Sequence, residues 1–294
     1  MRILVGSDLS KASDEAVRQG IALTSSASDE LGLCHVLPEA QLRTLFPQEH
    51  SRDMEALLEL QPRVAEALLA QAERIAGETA PPAEVFIEQG SDYAELVRRA
   101  EEWDADLLVI GGHGRSGLGR LFVSSVAEHV VRYAPCSVLV AREGADGAVL
   151  VATDLSDPSQ SAIEAGAREA ARLKRRLVVV HVTETLAART APAMALLGAN
   201  PILETPEIAR ERRDLASQII SGALERFHAW GEIEIAEGEP TAEILRLVGE
   251  LPVGLLVVGV RGRSRGARVM LGSVAANLVE NAPCSVLAVR VPEE

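Results

Sequence analysis

Residues 3–17, ILVGSDLSKASDEAV, return at 149–163 as VLVATDLSDPSQSAI. Each begins with an apolar, β-branched run of strand length, breaks at a polar turn, and continues with the spacing of a helix. Two further pairs follow in the same order: LGLCHVLPE at 31–39 with LVVVHVTET at 177–185, and LLVIGGHGRSG at 107–117 with LLVVGVRGRSR at 255–265. Asp8 and Asp154, like Val36 and Val182, are 146 positions apart, whereas Gly111 and Gly259, like Cys136 and Cys284, are 148 apart. Only two net residues separate the copies in length. A pair of copies this long is too few and too large for a solenoid, so the pattern is a duplicated domain. The expected boundaries are 1–143 and 148–294, joined by the short polar linker EGADG.

Within each copy, continuous apolar runs such as ILVG, LLVIGG and SVLVA alternate with helical stretches such as YAELVRRAEEW, as in a parallel sheet wrapped by helices. Strands are expected near 2–6, 31–36, 84–88, 106–110 and 137–141, then near 148–152, 177–182, 232–236, 255–259 and 285–289. The expected fold class is α/β: two tandem doubly wound domains, each a five-stranded parallel sheet with helices on both faces. Right-handed crossovers place the ligand crevice of such a sheet beyond the carboxyl ends of its strands.

Copy two sends a distinctive run to that place. Residues 257–281, VVGVRGRSRGARVMLGSVAANLVEN, end a strand at Gly259, continue through Gly262, and open a helix at Gly272-Ser273. Glycines let a backbone approach phosphate oxygens, and the free amides and positive dipole end of a helix receive negative charge. A triphosphate suits this order. Asp154, just past the first strand, reaches the same crevice, where a carboxylate meets a base or ribose; Asp and Ser at such a turn also serve as helix caps.

These residues resemble the ATP-binding branch of the universal stress proteins, whose loop after the fourth strand reads G-x2-G-x9-G-[ST]. Copy two matches that pattern in full, and the likeness extends over nearly the whole chain, from the Asp after strand one to the final PCSVL strand. The resemblance implies that Asp154 and Val182 border an adenine, that Gly259 and Gly262 contact ribose and phosphate, and that Gly272, Ser273 and Val274 hold the phosphates of ATP, with magnesium. In copy one the matching positions are Asp8, Val36, Gly111, Gly114, Ser124, Ser125 and Val126. Ser124 stands where the family has glycine. A Cβ there costs about 1 kcal/mol or more if the position needs positive φ or close contact, so weaker binding is expected in copy one. Arg115 and Arg263, each after the second glycine, are positioned to pair with phosphate oxygens or to lie in solvent.

Other chemistries find less support. No lysine completes a GxxxxGK[ST] loop, and the first turns, VGSDLS and VATDLS, are not GxGxxG. His35 and His181 end equivalent strands without a second ligand at metal spacing, so packing is expected of them and no metal site. No residue reads as a poised base, which leaves no catalytic residue to name; any hydrolysis would be slow. Two other readings stay open: a magnesium-dependent ATPase or phosphotransferase using Asp8 or Asp154, and a nucleotide-free scaffold.

Composition bounds the partners. There are 43 acidic against 29 basic residues in 294, a net charge of −14, which repels nucleic acid and anionic lipid. Apolar residues make up 47%, yet no run approaches the roughly 18 a membrane helix needs, and the start MRILVGSDLS lacks a signal peptide's basic and apolar regions. A cytoplasmic protein is expected, with Cys34, Cys136 and Cys284 as reduced core residues. The irregular stretches from Pro38 to Arg63 and from Thr183 to Arg213 read as lids or plain surface connections, before covering helices near Leu57 and Leu215. The apolar last strands, CSVLVAR and CSVLAVR, are edges that need covering; the resemblance implies that they pair as an internal pseudo-dimer, which keeps Cys136 and Cys284 apart, and a homodimer is also open.

Overall fold

The computed structural model describes residues 1–38, 51–77, 80–112, 125–144, 146–200, 203–260 and 271–291. The chain divides into two compact units, Met1–Glu143 together with the tail from Arg290, and Gly144–Val289. In the first unit the elements run β1 (Arg2–Gly6), α1 (Asp14–Leu23), β2 (Glu30–Pro38), α2 (Ser51–Ala76), β3 (Ala83–Gly90), α3 (Asp92–Glu102), β4 (Leu107–Gly111), α4 (Ser125–Tyr133) and β5 (Ser137–Ala141). Its strand order is β3-β2-β1-β4-β5, and every pairing is parallel. The second unit runs β6 (Ala148–Ala152), α5 (Asp157–Leu173), β7 (Leu177–Thr183), α6 (Leu186–Leu196), α7 (Pro206–Arg226), β8 (Glu232–Glu237), α8 (Pro240–Glu250), β9 (Val253–Gly259), α9 (Ser273–Asn281) and β10 (Ser285–Val289). Its order, β8-β7-β6-β9-β10, is the same five-stranded parallel arrangement.

The innermost strands are apolar throughout because both faces are covered. Ile3, Leu4 and Val5 of β1, and Val149, Leu150 and Val151 of β6, have no exposed surface. In β8, at a sheet edge, the pattern loosens to exposed Glu232 and Glu234 alternating with half-buried Ile233 and Ile235. The helices after β1 and β6 each lie on a glycine: a Cβ on Gly20 would fall 2.4 Å from Val5 Cγ2, and one on Gly166 would fall 2.2 Å from Val151 Cγ2. That approach fixes how closely each helix sits on its strand. The chain leaves β1 toward β2 and later returns to β4 on the other side, so the sheet has its switch point there. The same reversal occurs at β6, between β7 and β9.

Two stretches expected to be irregular contain helix. Residues 51–63 belong to α2, which continues through Pro62, and residues 186–196 form α6, with α7 beginning at Pro206. Good helix formers dominate both: Leu, Glu, Arg, Met, Gln and Ala in the first, and Ala and Leu in the second. Thr205 sets the start of α7 by accepting a hydrogen bond from the Ile208 amide, with Pro206 placed where a helix tolerates it. Cys34 and Cys284 are buried and Cys136 is half-buried; burial pushes the thiols of Cys34 and Cys136 up to about 12, far from reactive thiolate. No helix among the described residues is long and apolar enough to cross a membrane.

Candidate functional site

The turn that follows the first strand of each copy is built twice from the same bonds. The Ser10 amide donates to Asp8 Oδ1 at 3.0 Å, as the Ser156 amide does to Asp154 Oδ1 at 3.0 Å. Leu9 and Leu155 then take left-handed backbone, with φ of +60° and +64°. That conformation costs a β-carbon residue about 1–2 kcal/mol, so something must hold it. The leucine amides donate to Ser7 Oγ and Thr153 Oγ1, both at 3.1 Å, and these hydroxyls contact Ser13 Oγ and Ser159 Oγ at 3.0 and 2.8 Å. His35 and His181 close the network from the neighbouring strand through Nδ1, 2.8 Å from Ser7 O and 2.9 Å from Thr153 O. A carbonyl only accepts, so Nδ1 carries the hydrogen in each ring.

This bonding corrects the reading of Asp8 and Asp154 as helix caps. The residues at the N-cap positions are Ser13 and Ser156, and neither makes a side-chain cap bond. Each aspartate instead bonds two residues on, an Asx turn that shapes the floor of the crevice. Desolvation pushes the Asp8 carboxyl up, but the hydrogen bonds from Ser10 and Ser13 outweigh it and hold Asp8 below the ordinary carboxylate range.

In the second unit a crevice of about 570 Å³ opens at the strand ends. Asp154, Val182, Gly259, Gly272, Ser273 and Val274 all line it. Gly262 and Arg263 lie outside the described residues. Gly272 holds the N-cap of α9 with φ −60° and ψ 144°, its amide donating to Val260 O at 3.1 Å, and among the described residues no side chain caps the helix. The amides of that first turn therefore keep their donor capacity and the positive end of the helix dipole. Among the described residues, a Cβ on Gly272 would meet only Val260 O, at 3.8 Å. Positive φ is thus not what a glycine supplies here; its remaining use is to leave room for something bound.

In the first unit Asp8 is exposed at the β1 turn, Val36 is buried on β2, Gly111 ends β4, and Ser125 and Val126 open α4. Gly114, Arg115 and Ser124 lie outside the described residues. A Cβ on Gly111 would sit 3.0 Å from the main-chain oxygen of Ala12, so the fold itself asks for glycine at that strand end. The two copies differ at the start of the helix after their third strand. Pro240 lines the crevice of the second, whereas its counterpart in the first is Asp92, whose Oδ1 is buried and has no hydrogen-bond partner. Desolvation pushes Asp92 up, as does the Asp8 charge, while His35 opposes both.

Sequence reasoning missed part of the second crevice. Thr183, Glu184, Arg212, Leu215, Pro240 and Ile244 also line it. Thr183 ends β7 just past Val182, and Glu184 follows it, which strand periodicity could have found. Arg212 and Leu215 come from α7, and only the packing of that helix brings them to the crevice. Among the described residues no group of three or more His, Cys, Asp and Glu side chains is arranged to hold a metal ion.

Comparison with known proteins agrees over the full length. The family model described as "Universal stress protein family" matches residues 1–142 and again 147–290. A universal stress protein of Mycolicibacterium smegmatis is 27% identical over 299 aligned residues, covering 98% of this chain and 96% of its own. Universal stress protein YxiE of Bacillus subtilis is 34% identical over 145 residues, 48% of this chain and 97% of its own. Among solved structures, a universal stress protein of Archaeoglobus fulgidus superposes with a TM-score of 0.63 at 18% identity, covering 98% of both chains; at that identity the likeness speaks for the fold.

Proposed function

Because the chain belongs to the universal stress protein family, in two tandem copies, we propose that its second copy binds ATP and that occupancy modulates the protein's conformation or assembly in a stress-response role. One observation carries this reading: six residues expected at a nucleotide site line a single crevice against the uncapped start of α9. The groups present fit the ligand. Ser273 and Val274 would offer amides to phosphate oxygens, Gly272 leaves them unobstructed, and Asp154 and Val182 would border the base. Magnesium would arrive on the triphosphate, neutralising part of its charge. Asp8, Val36, Gly111, Gly114, Arg115, Ser124, Ser125 and Val126 are proposed as a weaker site in copy one, and Gly262 and Arg263 as loop contacts in copy two.

The residues offer positioning without a poised base, so the reading is one of binding and signalling rather than turnover. Pairing of the copies through their last strands, a homodimer and a cytoplasmic location belong to the same proposal. Calorimetric titration of MgATP into the full chain tests it: saturable binding is expected, and a flat titration to millimolar concentration would end it.

A further inference from the structure

Arg212 stands on α7 and lines the second crevice beside Thr183, Glu184 and Leu215. Its Nη1 donates to both carboxylate oxygens of Glu204, at 2.7 and 2.9 Å, and its Nη2 donates to the main-chain oxygen of Glu184 at 2.9 Å. Those partners are the two ends of the excursion that leaves β7, forms α6 and returns to α7. One guanidinium therefore holds the base of the whole segment. The Glu204 side chain is only 10% exposed, so the bidentate contact with Arg212 contributes to compensating its charge.

The segment itself is thinly buried. Leu196, Leu197 and Leu203 are 90%, 75% and 80% exposed, which leaves little apolar burial to order it. Arginine has five N–H donors; the three hydrogen bonds above use Nη1 and one Nη2–H, which leaves the Nε–H and the second Nη2–H. Nε has no partner among the described residues. Its neighbours Thr183, the last residue of β7, and Glu184 just beyond it lie across β6 from Gly259 and Gly272 on the β9 side. An acceptor reaching Arg212 would therefore belong to the end of the ligand away from its phosphates.

We infer that Arg212 reads the base end of the bound nucleotide, its Nε–H, unpartnered among the described residues, donating to a ring nitrogen or oxygen acceptor, and that occupancy thereby tightens residues 185–200. The inference rests on the nucleotide reading above. Coupling follows because one rigid planar group serves both tasks: a ligand that fixes the guanidinium also fixes its hold on Glu184 and Glu204. By linkage, ordering the segment favours the ligand to the same degree.

The test uses the full-length parent, Arg212→Gln and Glu204→Gln, each titrated with MgATP by calorimetry and followed by hydrogen exchange over residues 186–200. In the parent, ATP should slow exchange there several-fold. Arg212→Gln should weaken ATP roughly tenfold, the worth of one charge-assisted hydrogen bond, and abolish the slowing. Glu204→Gln keeps Nε, so it should bind ATP within about threefold of the parent yet lose most of the slowing. Parental ATP affinity in Arg212→Gln, or exchange over 186–200 indifferent to ATP in a parent that binds it, would overturn the inference. A parent that binds no ATP fails the nucleotide reading itself and takes this inference with it.

Discussion

Gly272→Asp separates folding from binding, because the same change should help one and destroy the other. Gly272 holds the N-cap position of α9 with φ −60° and ψ 144°, backbone that aspartate adopts freely. Among the described residues, a new Cβ meets only Val260 O at 3.8 Å, so no clash follows. Aspartate is a better N-cap than glycine by a few tenths of a kcal/mol, and its charge at the positive end of the helix adds about 0.3–1 kcal/mol. The melting temperature should stay level or rise by up to about 3 °C, as expected for roughly 1 kcal/mol in a unit of this size. Binding moves the other way. A carboxylate about 4 Å from a phosphate oxygen, at an effective dielectric of about 20, costs about 4 kcal/mol before salt screening, so ATP should weaken on the order of a hundredfold to a thousandfold. Gly272→Asn adds the same bulk without charge and should lose only about tenfold. Calorimetry beside a thermal melt reads both effects. Unchanged ATP affinity in a folded Gly272→Asp protein would refute the assignment of the phosphate end of the crevice.

Gly166→Ala should destabilise the protein by about 1–3 kcal/mol from overpacking, less up to about 1 kcal/mol of helix propensity, since its Cβ would lie 2.2 Å from Val151 Cγ2. Val151→Ala in the same chain should recover part of the loss, and denaturant unfolding that shows simple additivity would contradict the contact. Asp92→Asn probes a carboxyl whose folded pKa is raised, chiefly by desolvation. Such a group is neutral in both states at low pH and penalises the folded state as pH rises above the ordinary carboxylate range, so the variant should match the parent near pH 3 and exceed it in stability at pH 7 to 8. A larger gain at pH 3 than at pH 8 would reverse the argument. Ser124→Gly should tighten ATP in copy one by relieving crowding, and calorimetry that finds no change there would assign the weakness of that copy to another cause.

The sheet was legible because a buried parallel strand has a signature that survives without context. Runs such as Ile3–Val5 and Val149–Val151 are apolar throughout, and the second copy repeats the first in order. The strands blurred at their ends, where β3 and β9 run a residue or two further than their apolar cores imply. The helix α6 was hidden because its alanines, proline and threonine carry no amphipathic stripe; Leu196 and Leu197 lie in water rather than against a core. The glycine order pointed to a crevice, but the reason for each glycine needed coordinates. Gly111 is required by a neighbouring carbonyl, whereas among the described residues nothing lies close enough to Gly272 to require it. Arg212 could not be placed from sequence, since periodicity says which residues share a helix face and not what that face meets.

Hydrogen exchange of the full chain with and without MgATP maps the ligand onto the backbone and tests the central claim most directly. ATP bound as proposed should protect amides at 153–155, 259–260 and 272–275, which border one crevice, while leaving those at the amino ends of β6, β7 and β9 unchanged. Saturable ATP binding that leaves all three of these segments unprotected, or that protects the opposite end of the sheet instead, would contradict the account.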